Sequence, residues 1–361
     1  MEIEEYKRLQ QVLKRHLGYN EMVALSADIG LPIAPPIRAS LRVTSRCNSD
    51  CVYCPYRRSL TRNRIDLPKE TLFRAIDTMA DLGVRLLFLS GGEPLLRDDL
   101  AQICAHAYGR GMRVQLSTNG LLLVYEVAQS LNEAGLSELI MSLDSLEEKS
   151  YSIHRGVQNV RILETLDVLS RFSDFRVENS SSVTFVVSRK NYHELPGFIR
   201  FIEDFSDGRI GINIQPFHDS QHTKERDLLL SSEDESKLKK IMEEVVALKQ
   251  SGSRINVSED YLRGVSDYLI HGRMPEGPCW VGYFGMYVQE NLDVLPCWKM
   301  PSVGNLTFMS ATDLWLSPEY AKARNQMTHK ECSRCMFLCN QSIPDWFEIL
   351  YKTDLKHKDN E

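Results

Sequence analysis

Two hydrophobic periods take turns along this chain. Between residues 38 and 217, short apolar runs of strand type alternate with longer stretches whose apolar residues recur every third or fourth position. The strand-like segments are 40–44, 86–90, 113–117, 139–143, 183–187 and 210–215. Helical segments fall between them, near 69–82, 98–110, 124–135, 160–172 and 192–206. The first of these follows Pro68, which suits a first helical turn. Such alternation predicts parallel strands joined by right-handed crossovers. Six units fall short of a closed eight-stranded barrel. The expected fold class is therefore α/β, an open, curved partial (β/α)6 barrel.

The flanks read differently. Tyr6, Leu9, Val12, Leu13 and Leu17 share one face of a helix over 4–17, and Pro32, Pro35 and Pro36 break the pattern before the first strand. Residues 218–230 are polar and read as a loop. Ser231 and Ser232 then introduce a helix running to about residue 250, with serine as its cap. A β-hairpin is expected between Cys279 and Cys297, with strands at 283–289 and 294–296 and a turn at 290–293. A helix containing Leu314 and Trp315 follows, and the last residues from Lys356 read as a frayed tail.

Parallel α/β folds place ligands beyond the carboxyl ends of their strands. The polar and glycine-rich signals obey that rule. Cys47-Asn-Ser-Asp-Cys51-Val-Tyr-Cys54 follows the first strand, and Gly91-Gly92-Glu93-Pro94 follows the second. Asn119-Gly120 ends the third, Ser142-Leu-Asp144 the fourth and Gln215-Pro216 the sixth.

Charge and composition narrow the chemistry. The 361-residue chain has a net charge of −6, so no global basic field marks nucleic acid as a partner. The acidic start lacks the apolar core of a signal peptide, and no apolar run is long enough to span a bilayer, so a cytoplasmic location without membrane partners is expected. Nine cysteines in such a compartment point to metal rather than disulfides. Three lie at 47–54 and five at 279–339, with Cys104 alone on an apolar helix face as a packed thiol. On the first triplet alone, zinc and an iron–sulfur cluster both remain open. The triplet lacks a nearby fourth ligand for zinc, and three thiolates hold a four-iron cluster with one iron free for chemistry.

The Cys-x3-Cys-x2-Cys spacing, Tyr53 before the third cysteine and Gly91-Gly92-Glu93-Pro94 together resemble the radical S-adenosylmethionine (radical SAM) superfamily, over roughly residues 38–217. The resemblance implies a [4Fe-4S] cluster on Cys47, Cys51 and Cys54. Its open iron chelates SAM, whose reductive cleavage releases a 5′-deoxyadenosyl radical that takes hydrogen from a substrate carbon. It also implies roles for individual residues. Gly91 and Gly92 would admit the methionyl amino group, with Glu93 assisting. Tyr53 would pack near the adenine, and Asn119 would order the rim. Ser142 and Asp144 would bond the ribose hydroxyls, with a helix cap as the alternative. Arg155 stays open between the SAM carboxylate and solvent. No catalytic acid or base is assigned; Tyr287, Asp144 and His218 qualify on residue type only.

Residues 277–342 resemble the C-terminal SPASM or shorter twitch module that holds auxiliary clusters. Cys279, Cys297, Cys332 and Cys335 are the expected ligands of one auxiliary [4Fe-4S] cluster, with Cys339 as an optional fifth thiol. Zinc stays an alternative for this set. The expected domains are an N-terminal extension (1–37), the barrel (38–222), a linking helical segment (223–275), the cysteine-rich domain (276–345) and a tail (346–361). A flavodoxin or ferredoxin is the expected electron donor. The resemblance leaves two substrate classes. The main expectation is a sugar, aminocyclitol or nucleoside undergoing dehydrogenation, decarboxylation or epimerisation, favoured by the single auxiliary set and by a first segment too short for a fused peptide-recognition domain. The alternative is a ribosomally made peptide that is crosslinked, epimerised or oxidised.

Overall fold

The computed structural model describes residues 3–54, 56, 65–158, 161–177, 179–218, 226–272, 279–329 and 335–336. Two helices, α1 (Ile3–Leu13) and α2 (Tyr19–Ile29), lead into β1 (Arg38–Arg42). The repeating part continues with α3 (Lys69–Leu82), β2 (Leu86–Ser90), α4 (Leu100–Gly109), β3 (Arg113–Thr118), α5 (Tyr125–Glu133) and β4 (Leu136–Ser142). Then come α6 (Glu148–Arg155), α7 (Ile162–Phe172), β5 (Ser180–Val187), α8 (Leu195–Ser206) and β6 (Ile210–Pro216). The remainder comprises α9 (Glu235–Gln250), α10 (Glu259–His271), α11 (Val281–Phe284), β7 (Gly285–Val288), β8 (Asp293–Leu295), β9 (Gly304–Asn305), α12 (Ala311–Trp315) and α13 (Pro318–Thr328).

Strands β1 to β6 are parallel neighbours in sequence order, as the alternation predicts. The expected hairpin also forms, with Tyr287 opposite Leu295 in antiparallel register, but its first strand is shorter than the expected 283–289, because 283–284 belong to α11 and β7 ends at Val288. Its place in the sheet was not foreseen. β7 pairs in parallel with β1, so the sheet runs β6-β5-β4-β3-β2-β1-β7-β8-β9. At the other edge, Ile212 of β6 bridges to Ile255.

Each barrel strand splits its residues by period two. Leu87 and Leu89, Val114 and Leu116, Leu139 and Met141, and Val183 and Phe185 are buried in the core layer that includes the helices. The alternate residues line a cavity of about 1040 Å³, among them Arg42, Ser90, Gln115, Glu138, Ser142 and Asn213. Parallel sheets with both faces packed are apolar on both. The polar inner face marks this curved sheet as the wall of a chamber.

Several boundaries differ from expectation for local reasons. β4 and β5 begin three residues before the expected starts at 139 and 183, where Leu136-Ser-Glu and Ser180-Ser-Ser precede the apolar runs and gain partners only from the neighbouring strand. The single helix expected over 4–17 ends at Leu13, and α2 is an additional helix. Gly18 donates its N–H to Glu21 at 2.8 Å at the start of α2, and Gly30 in the left-handed region (φ 71°) ends it. α9 is capped at Asp234 rather than by serine; the Ser231 N–H instead donates to Asp234 at 3.0 Å. A second core cluster joins Tyr19, Met22 and Val23 of α2 to Val281, Phe284, Cys297 and Met327, so the amino-terminal helices pack on the second cysteine region.

Candidate active site at the carboxyl rim

The first cysteine loop leaves β1 and is tied down on three sides. On one side, the Gly92 N–H donates to the Thr44 carbonyl at 2.8 Å and the Glu93 N–H to the Arg46 carbonyl at 2.7 Å. A Cβ on Gly92 would sit 2.0 Å from that Arg46 oxygen, and one on Gly91 (φ 154°) 2.5 Å from the Thr44 oxygen. The two glycines are therefore required by the approach of the cysteine loop to the β2 rim. On the second side, Asn119 donates from Nδ2 to Asn48 at 2.7 Å and to Ser49 at 2.9 Å. On the third, the Asp50 and Val52 N–H groups donate to the Arg155 and His154 carbonyls, each at 3.0 Å. Gly156 completes that contact, since a Cβ there would lie 2.6 Å from the Asp50 oxygen. The end of α6 thus clamps the triplet. The motif His154-Arg155-Gly156 was visible in the sequence, but its backbone role was not.

Glu93 is buried and fully used. It accepts from the Leu95 N–H at 3.0 Å, the Thr118 hydroxyl at 2.7 Å and the Asn119 N–H at 2.7 Å. Burial raises its pKa, and those donors offset only part of the rise. Its carboxylate joins the rims of β2 and β3.

Asp144 has partners other than those expected. Its side chain is 0% exposed; it forms an ion pair with Arg155, whose Nε lies 2.6 Å away, and accepts from the Val186 N–H at 2.9 Å and from the Tyr53 hydroxyl. Asp144 is buried against these partners, whereas Ser142 lines the cavity. Arg155 is buried rather than solvated, with its guanidinium 5.3 Å above the Tyr53 ring and Nη1 3.9 Å from Cys51 Sγ. Burial would lower its pKa, but Asp144 and the neighbouring Tyr53 and Cys51 outweigh that and hold it charged. Tyr53 packs edge-on against Phe217 with centroids 6.4 Å apart.

The cavity wall on the β7 side carries a pair that sequence reasoning missed. Arg42 Nε meets Glu290 at 2.9 Å, with its guanidinium 3.5 Å over the Tyr56 ring. Deeper in the barrel, Gln115 donates to the half-buried Glu138, whose pKa desolvation raises against the opposing effects of that Gln115 hydrogen bond and of Arg113, Arg38 and Arg254. The available signal was the alternation itself, as in Arg113-Val-Gln115-Leu-Ser117.

Of the second cysteine set, Cys279, Cys297 and Cys335 are described; Cys332 and Cys339 lie outside the described residues. Cys279 and Cys297 sit beyond the two ends of the β7–β8 hairpin segment. The module is braced by buried Arg324, which donates to the Gly282 carbonyl at 2.8 Å and the Trp315 carbonyl at 2.7 Å.

Cys47, Cys51 and Cys54 all line the same cavity as Gly91, Gly92 and Tyr53. Burial raises the Cys47 thiol and pushes Cys51 up to about 11, with Arg155 opposing the rise at Cys51. Among the described residues, no three His, Cys, Asp or Glu side chains converge on a point that would grip one ion. A four-iron cluster makes no such demand, because each thiolate binds a different iron. The donor set, the glycine cradle and a chamber with room for a second molecule fit such a cluster with SAM beside it.

Known proteins agree. The family model of the radical SAM superfamily matches residues 41–202, and that of an iron–sulfur cluster-binding domain (SPASM) matches residues 279–336. The PqqA peptide cyclase of Gluconobacter oxydans is 26% identical over 79% of this chain and 76% of its own length. The AdoMet-dependent heme synthase of Methanosarcina barkeri is 33% identical over 42% of this chain and 43% of its own. Among solved structures, Streptococcus suis SuiB bound to S-adenosylmethionine has the same fold at a TM-score of 0.62 and 18% identity, over 87% of this chain and 74% of its own. Among the described residues, no helix is long and apolar enough to cross a membrane. The chain is an enzyme of the radical SAM superfamily, with a SAM-binding [4Fe-4S] barrel and a C-terminal SPASM-type iron–sulfur domain.

Proposed function

We propose that this enzyme is a maturase that modifies a ribosomally made peptide by radical chemistry. The observation that carries this reading is the extent of similarity. Likeness to PqqA peptide cyclases runs through 79–87% of the chain, barrel and C-terminal region together. Likeness to the heme synthase and to the probable GTP 3′,8-cyclase of Methanothermobacter thermautotrophicus covers 42% and 32%, no more than a barrel's length. The peptide reading, the alternative from sequence, is thus better supported than the sugar, aminocyclitol or nucleoside reading. The cavity is compatible with it. About 1040 Å³ lies just above the roughly 300–1,000 Å³ usual for ligand pockets, enough for SAM and the reacting segment of a second molecule.

In this reading Cys47, Cys51 and Cys54 hold the SAM-binding cluster. Cys279, Cys297 and Cys335, with a fourth thiol from Cys332 or Cys339, hold one auxiliary cluster. The bound cluster and SAM supply a 5′-deoxyadenosyl radical for hydrogen abstraction. The protein's own residues position and shield. Gly91 and Gly92 set the cysteine loop against the β2 rim, and Glu93 locks that rim to β3. Tyr53 and Ser142 face the chamber where the adenosyl group would lie. Asp144 acts through Arg155 and Tyr53, fixing both beside Cys51. A flavodoxin or ferredoxin would deliver the electron.

The test is anaerobic incubation with SAM, a reductant and candidate precursor peptides, chosen from any short reading frames found beside the gene. The expected result is a peptide mass change, such as the loss of two hydrogens, with 5′-deoxyadenosine formed in step. An unchanged peptide, with 5′-deoxyadenosine formation stimulated by a sugar or nucleoside instead, would reject the peptide reading.

A further inference from the structure

His218 stands two residues past β6, at the point where the barrel chamber meets the second cysteine region. It lines the chamber together with Trp298. Its side chain bridges three separate parts of the chain. First, Nδ1 and the Tyr268 hydroxyl of α10 are 2.5 Å apart, with the rings edge-on at 5.1 Å. Second, its ring meets Trp298 at 6.3 Å, also edge-on, and Trp298 directly follows Cys297. Third, the Met336 carbonyl faces the imidazole, and Met336 directly follows Cys335.

α10 holds the same segment from the other side. Seven residues before Tyr268, and so on the same helix face, the Tyr261 hydroxyl donates to the Met336 carbonyl at 2.8 Å. Between them, a Cβ on Gly264 would come 3.1 Å from Met336 Cε, so the Cys335–Met336 stretch lies flush against the helix. Helix α10 is thus a strut with one end on the barrel rim through His218 and the other on the Cys335 segment through Tyr261.

We propose that His218, oriented by Tyr268, is a positioning residue that sets the surroundings of the auxiliary ligands Cys297 and Cys335 and couples them to the substrate chamber. The inference rests on the reading that these cysteines hold a cluster. Hydrogen bonding and packing around a cluster's ligands tune its spectrum and potential without altering the ligand count. The bridge serves this purpose without adding charge. Burial, then the nearby Lys299, lower the His218 pKa to about 3 against a small opposing effect of the Met336 carbonyl, so the imidazole is neutral at working pH.

The experiment uses full-length protein with Cys47, Cys51 and Cys54 changed to alanine, so that remaining iron reports the second site only. Into it go His218→Phe, His218→Gln and Tyr268→Phe. The readouts are iron content, the electron paramagnetic resonance spectrum of the reduced protein, and its midpoint potential by redox titration. His218→Phe should change the spectrum and shift the midpoint with iron retained. Tyr268→Phe should shift it the same way by less, and His218→Gln should move both back toward the parent. Identical spectra and midpoints in all three variants overturn the proposal. Equal iron loss from all three also overturns it, because the hydrogen bond then does not set the order. Absence of iron before any change at His218 overturns the auxiliary-cluster reading itself, and the proposal with it.

Discussion

The two cysteine regions reach similar chemistry by opposite routes. In the first, all three thiols lie within eight residues, and the fold's task is to immobilise one loop. It does so with the β2 glycines, Asn119 and the end of α6. In the second, Cys279, Cys297 and Cys335 are spread over more than fifty residues, and the fold must first bring them into one module. It uses a hairpin added to β1, a caged Arg324 and the α10 strut. The lesson is that a compact motif depends on its backbone neighbours, whereas a dispersed one depends on tertiary packing. Damage to the two should therefore separate.

The sharpest separation comes from ligand removal. Changing Cys47, Cys51 and Cys54 to alanine should abolish 5′-deoxyadenosine formation under reduction and remove about half of roughly eight irons. The second-site spectrum should persist, and Cys297→Ala should do the reverse to iron at the second site. Iron and 5′-deoxyadenosine counts on reconstituted protein decide this, and a triple variant that still cleaves SAM would break the comparison.

Next in size is Asp144→Asn. It leaves the buried Arg155 without its counter-ion, and breaking a buried pair costs about 3–5 kcal/mol. Urea unfolding should show that loss together with reduced SAM cleavage. An unchanged midpoint would mean that Arg155 finds another anion.

Gly92→Ala should cost about 1–3 kcal/mol, because the new methyl meets backbone oxygen rather than a movable side chain. First-site iron should fall while second-site iron holds. Gly109→Ala, where a Cβ meets nothing within 4 Å near the end of α4, is the control and should be neutral or slightly stabilising. Equal effects from the two would deny the glycine cradle its special place.

The last effect is confined to acid pH. His218 stays neutral in the fold down to about 3, whereas the unfolded chain takes up its proton near 6.5. Between those values the unfolded state binds more protons, so stability falls as pH falls, by about 2 kcal/mol at pH 5. His218→Gln should flatten that part of the stability curve, read as urea midpoint against pH. An unchanged slope would place the titration elsewhere.

Legibility in the sequence followed locality. The six strands and their crossover helices were readable because each carries its own apolar period, and β2 was read at its observed limits, 86–90. α6 escaped notice because it is short and mostly polar, and its value lies in two carbonyls that hold Asp50 and Val52. The buried partners of Asp144 were hidden for a related reason. A strand-end carboxylate looks available until the fold delivers Arg155 and Tyr53 to it.

The sequence alone determined the superfamily, the triplet, the partial barrel and the existence of a second cysteine set. These are properties of spacing and period, which a chain carries whether or not it is folded. Only the tertiary structure decided that the hairpin joins the barrel sheet beside β1. It alone decided that the glycines serve the cysteine loop, and that His218 and Tyr268 link chamber to module. Those contacts join residues tens to hundreds of positions apart. They are fixed by which surfaces close packing brings together, and no local pattern records them.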